Sequence, residues 1–140
     1  MRVFLDTNVI ASATATRGLC SDVFRAVIEF HELVVSEPLV RELRRVLHGK
    51  FGASPDLIAD VVCLLREDTI ASEARPLHDL PLSDPADIAI VSSALNGAAD
   101  VFVTGDREIL VLGSVGPLEI RSPRQFWDRE REGPEGRPSG

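Results

Sequence analysis

Two short apolar runs, Val3-Phe4-Leu5 and Val101-Phe102-Val103, each lead almost at once into an aspartate, Asp6 in the first case and Asp106 in the second. Such triplets read as buried strands. In a parallel sheet the acids that follow them share the C-terminal edge, where open α/β sheets bind ligands. Two carboxylates a few ångströms apart raise each other's pKa, and a cation between them relieves the cost. Hard oxygen donors of this kind suit Mg²⁺ or Mn²⁺. Taken singly, each Asp is explained equally well as the cap of the helix that follows it.

A third acid strengthens the pattern. Asp84-Pro85-Ala86-Asp87 opens a helix that Asn96-Gly97 closes. At about 100° per residue, Asp87 shares a stripe with Val91, Ala94 and Leu95, the face turned to the core. A carboxylate there must be paired, hydrogen-bonded or bound to a metal. The competing explanation, stabilisation of the helix N-terminus, is available more simply from Asp84, which we rank first as a cap, with ligand and supporting roles left open. Glu42 borders the apolar stripe of its own helix between Arg41 and Arg45, and an i,i+3 pair with Arg45 accounts for it without any site.

The elements that must position these acids alternate in type. Arg2 to Leu5 is a first strand ending at Asp6. A loop holding Arg17 precedes a helix capped by Ser21 and running to about His31. A short strand follows at Leu33-Val34-Val35. Ser36-Glu37-Pro38 starts a helix that ends at Gly49, and Ser54-Pro55-Asp56 starts another with Leu57, Ile58, Val61, Val62, Leu64 and Leu65 facing inward. Thr69 to Ala74 is an edge strand, and residues 75–83, with two prolines, are a loop. After the Asp87 helix and the Val101 strand come a short helix to about Leu112, a strand near Leu118-Glu119-Ile120, and a capped turn from Ser122 to Trp127. Strands alternating with helices imply a three-layer α/β/α sandwich with a mostly parallel central sheet, residues 1–127 forming the domain. From Asp128 the tail is Gly, Pro, Glu and Arg without apolar residues, and 128–140 is expected to be disordered.

The chain has 140 residues, enough for one self-sufficient core. It is 44% hydrophobic and 26% charged, which argues against a disordered chain. No apolar run is long enough to span a bilayer, so no membrane partner is expected. Cys20 and Cys63 sit in apolar helical contexts without metal spacing. They read as buried reduced thiols, and hence as a sign of a cytoplasmic setting. A formal charge of −7 speaks against holding nucleic acid by bulk charge, though not against reaching phosphates through a bound cation. Arg17, Arg41, Arg44, Arg45, Lys50 and Arg107 are the bases placed to touch phosphates. His31, His48 and His78 lack metal spacing and carry no catalytic assignment.

Four segments together, Val3-Phe4-Leu5-Asp6-Thr7-Asn8-Val9, Ser36-Glu37-Pro38-Leu39-Val40-Arg41-Glu42-Leu43, Asp84-Pro85-Ala86-Asp87 and Val103-Thr104-Gly105-Asp106, follow the order and spacing of PIN (PilT N-terminal) domains. From Met1 to about Trp127 the chain resembles that family, and within it the VapC-like toxins of bacterial toxin-antitoxin pairs. The resemblance implies an acidic quartet of Asp6, Glu42, Asp87 and Asp106, with Asp6, Asp87 and Asp106 as metal ligands, and Thr7, Asn8, Asp84 and Thr104 in support. It implies Mg²⁺ or Mn²⁺ as cofactor, and cleavage of single-stranded or loop RNA that leaves a 5′-phosphate and a 3′-hydroxyl. It also implies a cognate antitoxin and a homodimer formed through helices; the Leu/Val-rich helix from Leu57 to Leu65 is a candidate surface only if its apolar stripe is wider than the core requires. Ala86 and Ile88 stand where the toxin group often has further acids, which leaves one versus two metals open.

Other readings are a PIN nuclease of RNA processing, which no residue separates from a toxin, and a non-catalytic PIN-fold scaffold, which predicts the loss of a quartet acid. A receiver-like switch would need a lysine at a strand end, yet the only lysine is Lys50 between helices. A haloacid dehalogenase-type phosphatase would need an Asp where Asn8 stands.

Overall fold

The computed structural model describes residues 1–132. Its strands are β1 (Arg2–Leu5), β2 (Glu32–Val35), β3 (Ile70–Ala71), β4 (Val101–Val103), β5 (Ser114–Val115) and β6 (Leu118–Arg121). Its helices are α1 (Thr7–Ala15), α2 (Leu19–Phe30), α3 (Glu37–Gly49), α4 (Pro55–Leu65), α5 (Pro85–Asn96), α6 (Arg107–Leu110) and α7 (Pro123–Arg131). The strands form one sheet in the order β3-β2-β1-β4-β6-β5, parallel except for the β5–β6 pair. With helices packed on it, this is the expected three-layer α/β/α sandwich.

The order explains where a site must form. From β1 the chain moves outward through β2 to β3, then returns to the middle to lay β4 on the other side of β1. The crevice at such a reversal lies outside the carboxyl ends of β1 and β4. Beyond Arg2, the two strands are apolar because both faces are covered. Val3, Phe4, Leu5, Val101, Phe102 and Val103 are essentially unexposed, and the rings of Phe4 and Phe102 stack with centroids 5.4 Å apart. The Asp6 N–H donates to the Val103 carbonyl at 2.9 Å, carrying the ladder one residue past β1.

Two helices hold the site-bearing segments in mutual register. Ser36 caps α3, its hydroxyl accepting from the Leu39 N–H, and the buried Ser93 of α5 donates to that same hydroxyl at 2.8 Å. Gly97, just past α5, lets the helix end approach the sheet. A Cβ there would lie 2.7 Å from Val34 Cγ1 and from Ser72 Cβ. Gly97→Ala is expected to cost about 1–3 kcal/mol through overpacking. Urea unfolding checks this as a lower midpoint with unchanged slope.

Several boundaries differ from those expected. The segment read as a loop after Asp6 holds α1, and α2 starts at Leu19 after Gly18, not at Ser21. Gly18, at φ +153°, makes the reversal between the two helices in a conformation that suits glycine. Ser122 starts a full helix with a reciprocal capping box, and α7 passes the Trp127 boundary to Arg131. Residues 133–140 of the expected tail lie outside the described residues. β5 was not foreseen. Cys63 is exposed, not buried: α4 buries Ile58, Val61, Val62 and Leu65, which leaves Cys63 and Leu64 on its outer arc. Among the described residues, no helix is long and apolar enough to cross a membrane.

Candidate active site

Asp6 ends β1 and caps α1. One carboxylate oxygen accepts from the Thr7 N–H at 2.8 Å, and the other accepts from the Thr104 hydroxyl at 2.6 Å. That hydroxyl in turn accepts from the Asp106 N–H at 3.0 Å, so one buried threonine ties the end of β4 to both acids. Burial pushes the Asp6 carboxyl above its ordinary pKa. The bonds from Thr104 and Thr7 oppose this, while the nearby charges of Asp106 and Glu42 add to it.

Asp87 lies half-buried in the first turn of α5. Its carboxyl is raised to about 6, first by burial and then by Asp106, Asp6, Asp84 and Glu108. Asp6, Asp87 and Asp106, which arrive on three separate elements, thus feel one another's charge. Asp106 caps α6, accepting from the N–H groups of Glu108 and Ile109. Asp84 accepts from the Ala86 N–H at 2.9 Å, the helix cap ranked first for it. Glu42, on α3, reaches Asp6 by its charge, but its carboxylate is bonded to Arg45. Asn8 is exposed in the first turn of α1, and Thr7 is buried with its hydroxyl oxygen unpartnered among the described residues.

The donor set is all oxygen and strongly anionic, the chemistry that hard divalent cations require. As the side chains stand, no group of three or more His, Cys, Asp or Glu among the described residues is ready to hold an ion. Glu42 turns to Arg45, and Asp84 and Asp106 turn to the N–H groups they cap. The residues fit a divalent cation in kind.

Glu108 was missed by sequence reasoning. Its carboxylate accepts from the N–H of Ser83 at 3.2 Å and from its hydroxyl at 3.2 and 3.0 Å, pinning the start of α5 to α6. Its place two residues after Asp106 was the available signal; its partner, far off in sequence, was not. Glu108→Ala is expected to speed amide hydrogen exchange at Ser83 about tenfold, the loss of one charge-assisted bond.

The PIN domain family matches residues 2–108. The chain belongs to the PIN domain family. Comparison with curated proteins finds no match. Among solved structures, this PIN chain resembles VapBC2 from Rickettsia felis bound to a DNA fragment from its promoter, with TM-score 0.61 and 13% identity over 87% of this chain and 98% of the other. It resembles VapC20 of Mycobacterium tuberculosis, a Sarcin-Ricin loop cleaving toxin, with TM-score 0.59 and 12% identity over 84% and 98%. It resembles VapBC-1 from nontypeable Haemophilus influenzae with TM-score 0.57 and 19% identity over 89% and 99%. At such identities the likeness is one of PIN fold.

Proposed function

We propose that this PIN domain is a divalent-metal-dependent endoribonuclease, the toxin of a cytoplasmic toxin-antitoxin pair whose antitoxin covers the acidic pocket, and that it works as a homodimer. The observation that carries the nuclease reading is the convergence of Asp6, Asp87 and Asp106 at the reversal of the sheet, with Asp6 and Asp87 held above the ordinary carboxylate range. An acidic pocket repels a phosphodiester unless it also carries positive charge, so the donor set and the proposed substrate together call for a cation. The toxin role and the antitoxin draw support from the solved structures it resembles.

Asp6, Asp87 and Asp106 would hold Mg²⁺ or Mn²⁺, with Glu42 joining when it leaves Arg45. When bound, such an ion supplies a more acidic water and a counter-charge for the leaving oxygen. The chain's own contribution is orientation and proton control. Thr104 fixes the rotation of the Asp6 carboxylate and the position of the Asp106 backbone. Asp87 retains a proton below about pH 6 and must release it before it can serve as a ligand. The test is cleavage of a structured RNA pool by the full chain with Mg²⁺ or Mn²⁺, with EDTA, and by Asp6→Asn. Cutting that needs metal and is lost in the variant is expected; cutting that persists in EDTA or in Asp6→Asn would refute the assignment.

A further inference from the structure

A groove of about 720 Å³ lies between α3 and α5. One wall carries Arg41, Arg44, Arg45 and His48, and the other carries Ala86, Ala89 and Ile90. Glu42 also lines it, so the groove borders the acids through that residue. The bases sit at i, i+3, i+4 and i+7 along α3. They therefore form one stripe with stations about 5 Å apart along the helix axis.

This concentration of bases is unusual for a chain whose formal charge is −7. Arg45 pairs with Glu42, whereas Arg41 and Arg44 have no carboxylate within ion-pair distance among the described residues. Guanidinium forks match phosphate oxygens two at a time. The facing wall is apolar and holds no aromatic ring, so it can shelter ribose and base surface without stacking on bases. The arrangement holds a strand by its backbone, with little reading of sequence.

We propose that this groove carries the phosphates of the single-stranded RNA flanking the cleavage site, with Arg41 and Arg44 as the contacts. The inference rests on the endoribonuclease reading and adds the direction in which the strand leaves the acids. The groove attracts the backbone next to a pocket that alone would repel it.

The test uses the full chain. Binding of a fluorescein-labelled single-stranded oligoribonucleotide to Asp6→Asn is followed by anisotropy across a salt series, with and without Arg41→Ala and Arg44→Ala added. Each arginine removed is expected to lower the slope of log K against log salt by about 0.7. In the wild-type background the double replacement is expected to raise KM about tenfold with kcat largely kept. Arg25→Ala, on α2 and away from the groove, serves as the control for a general loss of charge. An unchanged slope and KM in the double variant would overturn the proposal. So would a change confined to oligomeric state or to binding of a protein partner, which would assign the groove to another molecule. Absence of cleavage by the wild type would defeat the nuclease reading separately, and the salt slopes would still decide the groove.

Discussion

Replacing Asp87 by Asn is expected to abolish metal-dependent cleavage and, without metal, to make the protein more stable at neutral pH. The sign follows from linkage. The Asp87 carboxyl is raised from an ordinary 3.8 to about 6 in the native state. Below the ordinary value both native and unfolded chains are protonated there, and the group contributes no difference. Between the two values the native chain keeps a proton that the unfolded chain has lost, so stability falls as pH rises. Above about 6 the full cost of an ionised, partly buried carboxylate among other acids is present. Asn is neutral throughout and escapes it. Thermal unfolding in EDTA from pH 4 to pH 8 checks this: the Asp87→Asn melting temperature should exceed that of wild type at pH 8, with the gap closing towards pH 4. A gap independent of pH would show that repulsion at this site is not its source. Adding Mg²⁺ or Mn²⁺ should raise the wild-type melting temperature more than that of the variant, because only the wild type keeps every carboxylate proposed to hold the ion.

Thr104→Val should weaken metal binding by about 10- to 100-fold, the usual effect of losing a group that orients a ligand. Valine keeps the shape and removes a hydroxyl that makes two bonds at once, one donated to Asp6 and one accepted from the Asp106 N–H. The Asp6 carboxylate, already above its ordinary pKa, would lose the strongest influence holding it down. A stability loss of about 1–3 kcal/mol accompanies the unpaired buried groups. Thr104→Ser should restore both properties. Calorimetric titration with Mn²⁺ reads the first and urea unfolding the second. Full metal affinity in Thr104→Val would remove this threonine from the site.

Most of the acids were legible because each stands where an apolar run gives way to a helix start, a junction that composition marks clearly. Strand, cap and acid coincide at Asp6 and Asp106, and helix stripe and acid coincide at Asp87. The Glu42–Arg45 pair was also visible, as a contact within one helix. Long-range partners left no such mark. Glu108 bonds to Ser83, 25 residues away, and Ser93 bonds to Ser36, 57 residues away. α1 hid for another reason: Thr, Ser and Ala supply little apolar contrast, and the helix is held by the Asp6 cap and the buried Val9, Ile10 and Ala11. The error at Cys63 came from treating an apolar helix as buried all round, although only the face carrying Ile58, Val61, Val62 and Leu65 meets the core.

The sheet order has a consequence for the timing of synthesis. Asp6 is among the first residues made, yet its partner hydroxyl on Thr104 lies 98 residues later, and Asp106 follows it. Contacts so distant in the chain form late, since closing the intervening loop must come first. While the segment before β4 is still being made, the growing chain has Asp6, Glu42 and Asp87, and β2 beside β1, but not the strand on the other side of β1 that carries Thr104 and Asp106 into place. The acidic cluster is therefore assembled only after the central β1–β4 pairing closes.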